Sequence, residues 1–246
     1  MSAIRSLLWK ETRQLGRNRT AMLTAALLPF LILFLAPIQM IVGVKLGGDR
    51  GMDQLREAPL PGFSDVSDPG QLLVQFFYPM LLVIGGLLLP SLTTTYAIVT
   101  ERERRSLELL VSLPVTVGEI VAAKLLSVLV VTAMIGIPYV AVVITLLIVL
   151  GLAGPATVPA LLAPFVAAVA CSTAIALLLT LLARDFRTAN NLNGAFFVPA
   201  LLLSIGTLAG VGGPARTYVL AGVLLALAAI ALFAALRWVS FERYLD

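Results

Sequence analysis

Histidine is absent from this sequence, cysteine occurs once, as Cys171, and only 12% of the 246 residues carry a charge. Without histidine there is no imidazole base and no imidazole metal ligand. A lone cysteine excludes an internal disulfide and a thiolate metal cluster, and Cys171 lies in an apolar run where its ordinary role is packing. No G-x-x-x-x-G-K-[ST] phosphate loop occurs, so the chain carries no P-loop ATPase of its own. Charge is missing from whole stretches as well: no Asp, Glu, Lys or Arg occurs in 20–44, 69–100, 125–183, 188–215 or 217–236.

What is present is apolar. Hydrophobic residues make up 60% of the chain, and the mean hydropathy is +1.02. Soluble domains are roughly 45–50% apolar and about 25% charged. This chain has too little polar surface to cover such a core in water, so it belongs to a bilayer. A helix rises about 1.5 Å per residue and the hydrocarbon core is about 30 Å thick, so about 20 residues cross it. Four of the charge-free runs fit one crossing each. The long run 125–183 fits two, broken at the Gly- and Pro-rich "GLAGPATVP" of 151–159.

The sequence therefore predicts one all-α integral membrane domain over 1–246, with six transmembrane helices near 21–43, 72–99, 119–149, 159–183, 190–211 and 217–236. Strands are disfavoured because the period-2 alternation of a membrane barrel is absent. Helices also satisfy every backbone polar group locally. The apolar run of the first span exceeds the roughly 7–15 residues of a signal-peptide core, so it reads as a retained span.

Orientation follows from Lys and Arg. With the N-terminus inside, segments 1–20, 100–124, 184–191 and 237–246 hold thirteen of the 17, and segments 44–71, 151–158 and 212–216 hold four. Both termini are thus expected in the cytoplasm. The pI of 9.6 reflects this topology and gives no argument for nucleic-acid binding. Outside the membrane on the opposite side, 44–71 is acidic, with Asp49, Asp53, Glu57, Asp65 and Asp68. Before the first span, Ile4, Leu7, Leu8 and Leu15 fall near one helical face, with Arg5, Arg13 and Arg17 elsewhere and Trp9 as an interfacial aromatic. That pattern suits an amphipathic helix over 1–20 on the inner leaflet.

Charge gathers most densely at "TERERRSLELLVSLPVTVGE", 100–119. Thr100 and Glu103 have capping-box spacing, which predicts a new helix from Glu101. Glu101 with Arg105, and Arg104 with Glu108, are i,i+4 pairs, each supporting an exposed helix by about 0.2–0.5 kcal/mol. Leu107, Leu110 and Val111 share a face. Pro114 lacks an amide and ends the helix, here taken as 101–113. Thr116 and Glu119 repeat the capping pattern ahead of the third span. A tether needs only a few residues. This loop carries two start signals and a stop, as expected of a rigid element presented to a cytoplasmic partner; a solvated loop that only sets topology is the other reading of the same spacing.

The segment "ERERRSLELLVSLPVTVGEIVAAKLL" resembles the signature of type-2 ABC exporter permeases at Glu101, Arg102, Glu103, Leu107, Glu108, Leu110, Pro114, Glu119, Ile120 and Lys124. Lys10, Glu11 and Arg19 match that family's cytoplasmic start, and six spans with both ends inside is its usual architecture. Arg105 departs from the pattern, standing where many members have Gly. The resemblance implies that 101–113 is a coupling helix docking into a cleft on a separate ABC ATPase subunit, present in two copies. It implies a homo- or heterodimer of permeases in the cytoplasmic membrane of a prokaryote. ATP and Mg would then sit on the partner, with no cofactor, metal or catalytic residue in this chain. Arg184, Asp185, Phe186 and Arg187, in the short inner loop "ARDFRTANN", would make a second contact.

Away from their ends the spans hold no Asp, Glu, Lys, Arg or His. Ion-coupled transporters keep such groups inside because they are costly and functional. An intramembrane hydrolase would need Lys or His to activate a serine. A secondary transporter or channel without an ATPase, or a membrane scaffold, is the alternative to a permease. The polar residues available to line a pathway are Thr93, Thr94 and Tyr96, with Ser91 and Thr95, in the second span and Asn190, Asn191 and Asn193 in the fifth. Such groups equally join helices by hydrogen bonds. Pro79 and Pro90 are expected to kink the second span, and Gly85 with Gly86 to allow close helix approach there.

Overall fold

The computed structural model describes residues 27–47, 68–103, 117–182 and 186–238. Among them every regular element is helical. Six helices follow one another: α1 (27–47), α2 (69–103), α3 (Val117–Val149), α4 (Val158–Leu182), α5 (Phe186–Gly210) and α6 (Arg216–Trp238). Five contain stretches long and apolar enough to cross a bilayer, and the described part of α1 contributes a shorter apolar helix, Leu27–Gly43. The protein is a multi-pass, all-α membrane protein. The interfacial helix expected over 1–20 lies outside the described residues.

Local chemistry accounts for the helix ends. Asp68 caps α2: its Oδ1 accepts from the Gly70 amide at 2.6 Å and the Gln71 amide at 3.1 Å, with Pro69 next in line. The break expected at 151–159 is present. Leu152 N–H donates to Leu147 C=O at 2.9 Å and Gly151 N–H to Ile148 C=O at 3.0 Å, with Gly151 at φ +71. That is a Schellman stop, which needs a left-handed residue and so favours glycine. Pro155 then opens a short 3₁₀ turn that leads into α4.

The prolines act in two ways. In α1 a π turn over Phe30–Leu35 ends with Ala36 N–H donating to Leu31 C=O, directly before Pro37. In α2 a π turn over Leu73–Phe77 ends with Tyr78 N–H donating to Leu73 C=O, directly before Pro79. The widened turn makes room for a ring that otherwise presses on the carbonyl four residues back. Pro90, Pro138, Pro164 and Pro199 lie instead within α-helical turns.

Helices α2 and α4 form the centre. Protein buries 72% of the apolar stretch of α2 and 67% of that of α4, against 22% for α5. One apolar cluster joins Leu72, Phe76, Val83 and Leu87 of α2 to Cys171 and Ile175 of α4, Leu208 of α5 and Leu220 and Leu224 of α6. A second joins Leu73, Tyr78, Leu82 and Leu89 on the other side of α2 to Leu33 of α1, Val143 and Leu147 of α3 and Phe165 of α4. Helix α2 is thus a wall between two half-cores. Leu126, Met134 and Ile137 of α3, Val198 and Leu202 of α5 and Ile230 and Phe233 of α6 stay exposed, which is the natural state of a lipid-facing surface.

Gly85 and Gly86 permit this packing, as their pairing suggested. A β-carbon on Gly86 would lie 2.8 Å from Ala168 Cβ and 3.0 Å from the Phe165 carbonyl oxygen, so α2 and α4 meet backbone to backbone. A β-carbon on Gly85 would strike the Leu33 side chain of α1. At the end of the bundle that holds Asp68 and the Gly151 turn, Lys45 Nζ donates to Leu150 C=O at 3.2 Å and so ties α1 to the end of α3.

Two boundaries differ from expectation. Helix α2 continues through Thr100 to Glu103 without a break, so Thr100 caps no new helix and the first signature residues extend the second span. The helical hydrogen-bond ladder already in progress at Val99 competes successfully with a side-chain cap. Helix α5 starts at Phe186, ahead of the expected 190, so Phe186 and Arg187 belong to a helix and not to the loop assigned to them.

Candidate functional site

A cavity of about 190 Å3 opens where α2, α4 and α5 meet. Leu87, Leu88 and Ser91 of α2 line it, with Ser172 and Ile175 of α4 and Asn193, Gly194, Phe196 and Phe197 of α5. Its position follows from the packing. Gly86 pulls α4 tightly onto α2, whereas α5 is the least buried of the long apolar helices and closes over them incompletely. The walls are mainly aliphatic and aromatic, with two hydroxyls and one carboxamide, and no lining residue is ionisable.

Ser172 is the best-defined polar group there. It is buried, and its Oγ donates across the helix pair to the Leu87 carbonyl. With its one proton committed, the hydroxyl retains only acceptor capacity. Asn193 is also buried and offers amide donors and a carbonyl acceptor.

The pathway candidates divide accordingly. Asn193 lines the cavity, and Ser91 joins it there. Thr93 does not: its Oγ1 donates back to Leu89 C=O at 3.0 Å and to Pro90 C=O at 3.1 Å within its own helix. Thr145, Thr173, Ser204 and Thr207 do the same toward the carbonyl four residues earlier. Thr94 is fully buried elsewhere, its hydroxyl without a hydrogen-bond partner. Asn191 is exposed. Tyr96 and Asn190 stand on described helix, but their side chains fall outside what is described. Sequence reasoning missed Ser172, Gly194, Phe196 and Phe197. The Ser172–Thr173 hydroxyl pair in the middle of the fourth span was the available signal.

The described docking candidates sit at the end of the bundle remote from Asp68. Glu101, Arg102 and Glu103 form the last turn of α2, and Phe186 and Arg187 the first of α5. Arg104, Arg105, Leu107, Glu108, Leu110, Pro114, Arg184 and Asp185 lie outside the described residues. Among those described, no group of three or more Cys, Asp or Glu side chains could hold a metal.

Arg216, at the opposite end, is 1% exposed at the start of α6. Its Nε donates to Gly213 C=O at 2.9 Å, folding the side chain over the turn before the helix. Gly213 makes that turn possible at φ +75.

A model of the ABC-2 family transporter proteins matches residues 5–233. The chain belongs to the ABC-2 transporter family. The match covers all six helices except the end of α6 and spans the signature stretch. No curated protein and no solved structure matches the chain. As an ABC-2 permease the protein is a membrane transport component, of a family that generally works as dimers and with ATPase subunits.

Proposed function

We propose that this ABC-2 protein is the permease subunit of an ATP-driven exporter in the cytoplasmic membrane of a prokaryote. Two permeases form the translocation pathway between them. Separate ATPase subunits dock on the 100–119 segment and hold the ATP and Mg, and the chain itself catalyses nothing. Arg184, Asp185, Phe186 and Arg187 make the second contact.

Support comes chiefly from one feature. Helix α2 runs unbroken from the cavity-lining Ser91 to the signature residues Glu101–Glu103. Those twelve residues beyond Ser91 add about 18 Å of helix at about 1.5 Å per residue. A force applied at Glu101–Glu103 therefore reaches Leu87, Leu88 and Ser91 through a single rod. Helix α3 projects similarly, its apolar stretch beginning at Leu125 although the helix is formed from Val117. ATPase movement would bias the permease between inward- and outward-closed populations through these two stems.

The test is co-purification with ATPases encoded beside this gene, using the parent chain and the double variant Glu101→Ala, Arg104→Ala. An ATPase should bind the parent and be lost from the variant. Equal binding to both would reject the docking assignment, and no binding to either would reject the exporter. Orientation is read separately. A cysteine at position 60 should label from outside intact cells and one at position 104 should not. Cys171, fully buried, gives a silent background.

A further inference from the structure

We infer that the cavity between α2, α4 and α5 binds the ring-sized polar end of an uncharged molecule that carries a hydroxyl or N–H donor. This deepens the permease assignment and rests on it for the molecule's being cargo. Size comes first. An apolar cavity of about 150 Å3 takes up benzene, and this one measures about 190 Å3. A single six-membered ring with one or two attached atoms fits. Phe196, Phe197, Leu87, Leu88 and Ile175 supply apolar and aromatic walls for it.

Charge comes second. No lining residue is ionisable, and an ion brought into such a site without a counter-charge keeps its desolvation cost. Hydrogen-bond polarity comes third and narrows the class further. Ser172 has given its proton to the Leu87 carbonyl, so toward a ligand it presents an acceptor only. A ligand with a donor satisfies that lone pair, whereas one with an acceptor alone gains nothing from Ser172 and has only Asn193 and Ser91 to turn to.

The helix also supplies a clean way to fill the site. Gly194 lines the cavity, and a β-carbon there would meet nothing within 4 Å, so a larger side chain is accommodated at its rim without moving backbone. The experiment uses the full chain in nanodiscs and two isomeric probes of equal volume, 4-fluorobenzyl alcohol and 4-fluoroanisole, followed by fluorine NMR saturation transfer. 4-Fluorobenzoate serves as the charged counterpart. The alcohol should bind the parent about fivefold more tightly than the anisole, the ratio for about 1 kcal/mol of net hydrogen bond. Benzoate should not bind.

Gly194→Leu should abolish saturable binding of both neutral probes, and Ser172→Ala should bring the alcohol down to the level of the anisole. Equal binding of the two isomers by the parent, or binding that survives Gly194→Leu, would overturn the assignment, as would a cavity that takes only water. Unfolding curves of each variant check that the bundle is intact. None of these measurements needs an ATPase, so their failure removes the ligand site and leaves docking untouched. Adding the ATPase and ATP separates cargo, whose bound signal falls during turnover, from a resident lipid headgroup, whose signal does not; both keep the site.

Discussion

Replacing Gly86 by alanine isolates the contact on which the bundle turns. Alanine normally favours a helix over glycine by about 1 kcal/mol, so helix propensity alone predicts stabilisation. Packing predicts the reverse. The added methyl would sit 2.8 Å from Ala168 Cβ and 3.0 Å from the Phe165 carbonyl oxygen. Carbon atoms rest at about 3.5–4.0 Å, so α2 and α4 must separate locally by about 0.7 Å or more. Neither obstacle can swing aside, since one is backbone and the other a methyl fixed to it. Overpacking of this kind costs about 1–3 kcal/mol, and the propensity gain offsets only part of it. Gly85→Ala should also destabilise, because the Leu33 side chain it would strike is met at Cγ, 2.6 Å away, as well as at its tip, and is fully buried. Gly206→Ala should be neutral or stabilising, because nothing lies within 4 Å of its new methyl. Reversible unfolding of the purified chain in mixed micelles ranks the three. If Gly86→Ala were as stable as Gly206→Ala, the close α2–α4 approach would be refuted.

Asp68→Ala should destabilise the start of α2 by about 1 kcal/mol through loss of its cap, with Asp68→Asn retaining most of it; the same unfolding assay reads both. Gly151→Ala should cost about 1–2 kcal/mol for forcing a β-carbon into left-handed backbone, while Gly154→Ala, where no positive φ occurs and nothing lies within 4 Å, should be silent. Ala97→Pro should interrupt the stem of α2 between the cavity and Glu101. ATPase binding should then persist while transport by the reconstituted complex falls, and undiminished transport would show that the rod carries no force.

Most of the architecture was legible because a bilayer imposes it. Charge inside hydrocarbon is so costly that charge-free runs mark the spans almost by themselves, and the break at 151–159 could be read from glycine and proline. The charged stretch after the second span was legible in a different way, through its likeness to a known family signature. The helix it sits on was not. Capping boxes are local patterns, and at Thr100 the pattern competes with a helix already propagating from Tyr78. Adding a residue to a formed helix is cheaper than nucleating a new one.

Composition by itself determined that this protein lives in a membrane, that it crosses it as helices, and that Asp, Glu, Lys, Arg and His are missing from the interiors of its spans. Tertiary structure decided which polar residues matter. Thr93 and Asn193 look equivalent in the sequence, each a hydrogen-bonding residue in an apolar run. Thr93 bonds its own helix, while Asn193 faces a cavity shared with Ser91 and Ser172. Hydropathy is a property of one segment at a time. A cavity is a mismatch among three, made here by the tight seat of α4 on Gly86 and the looser closure of α5.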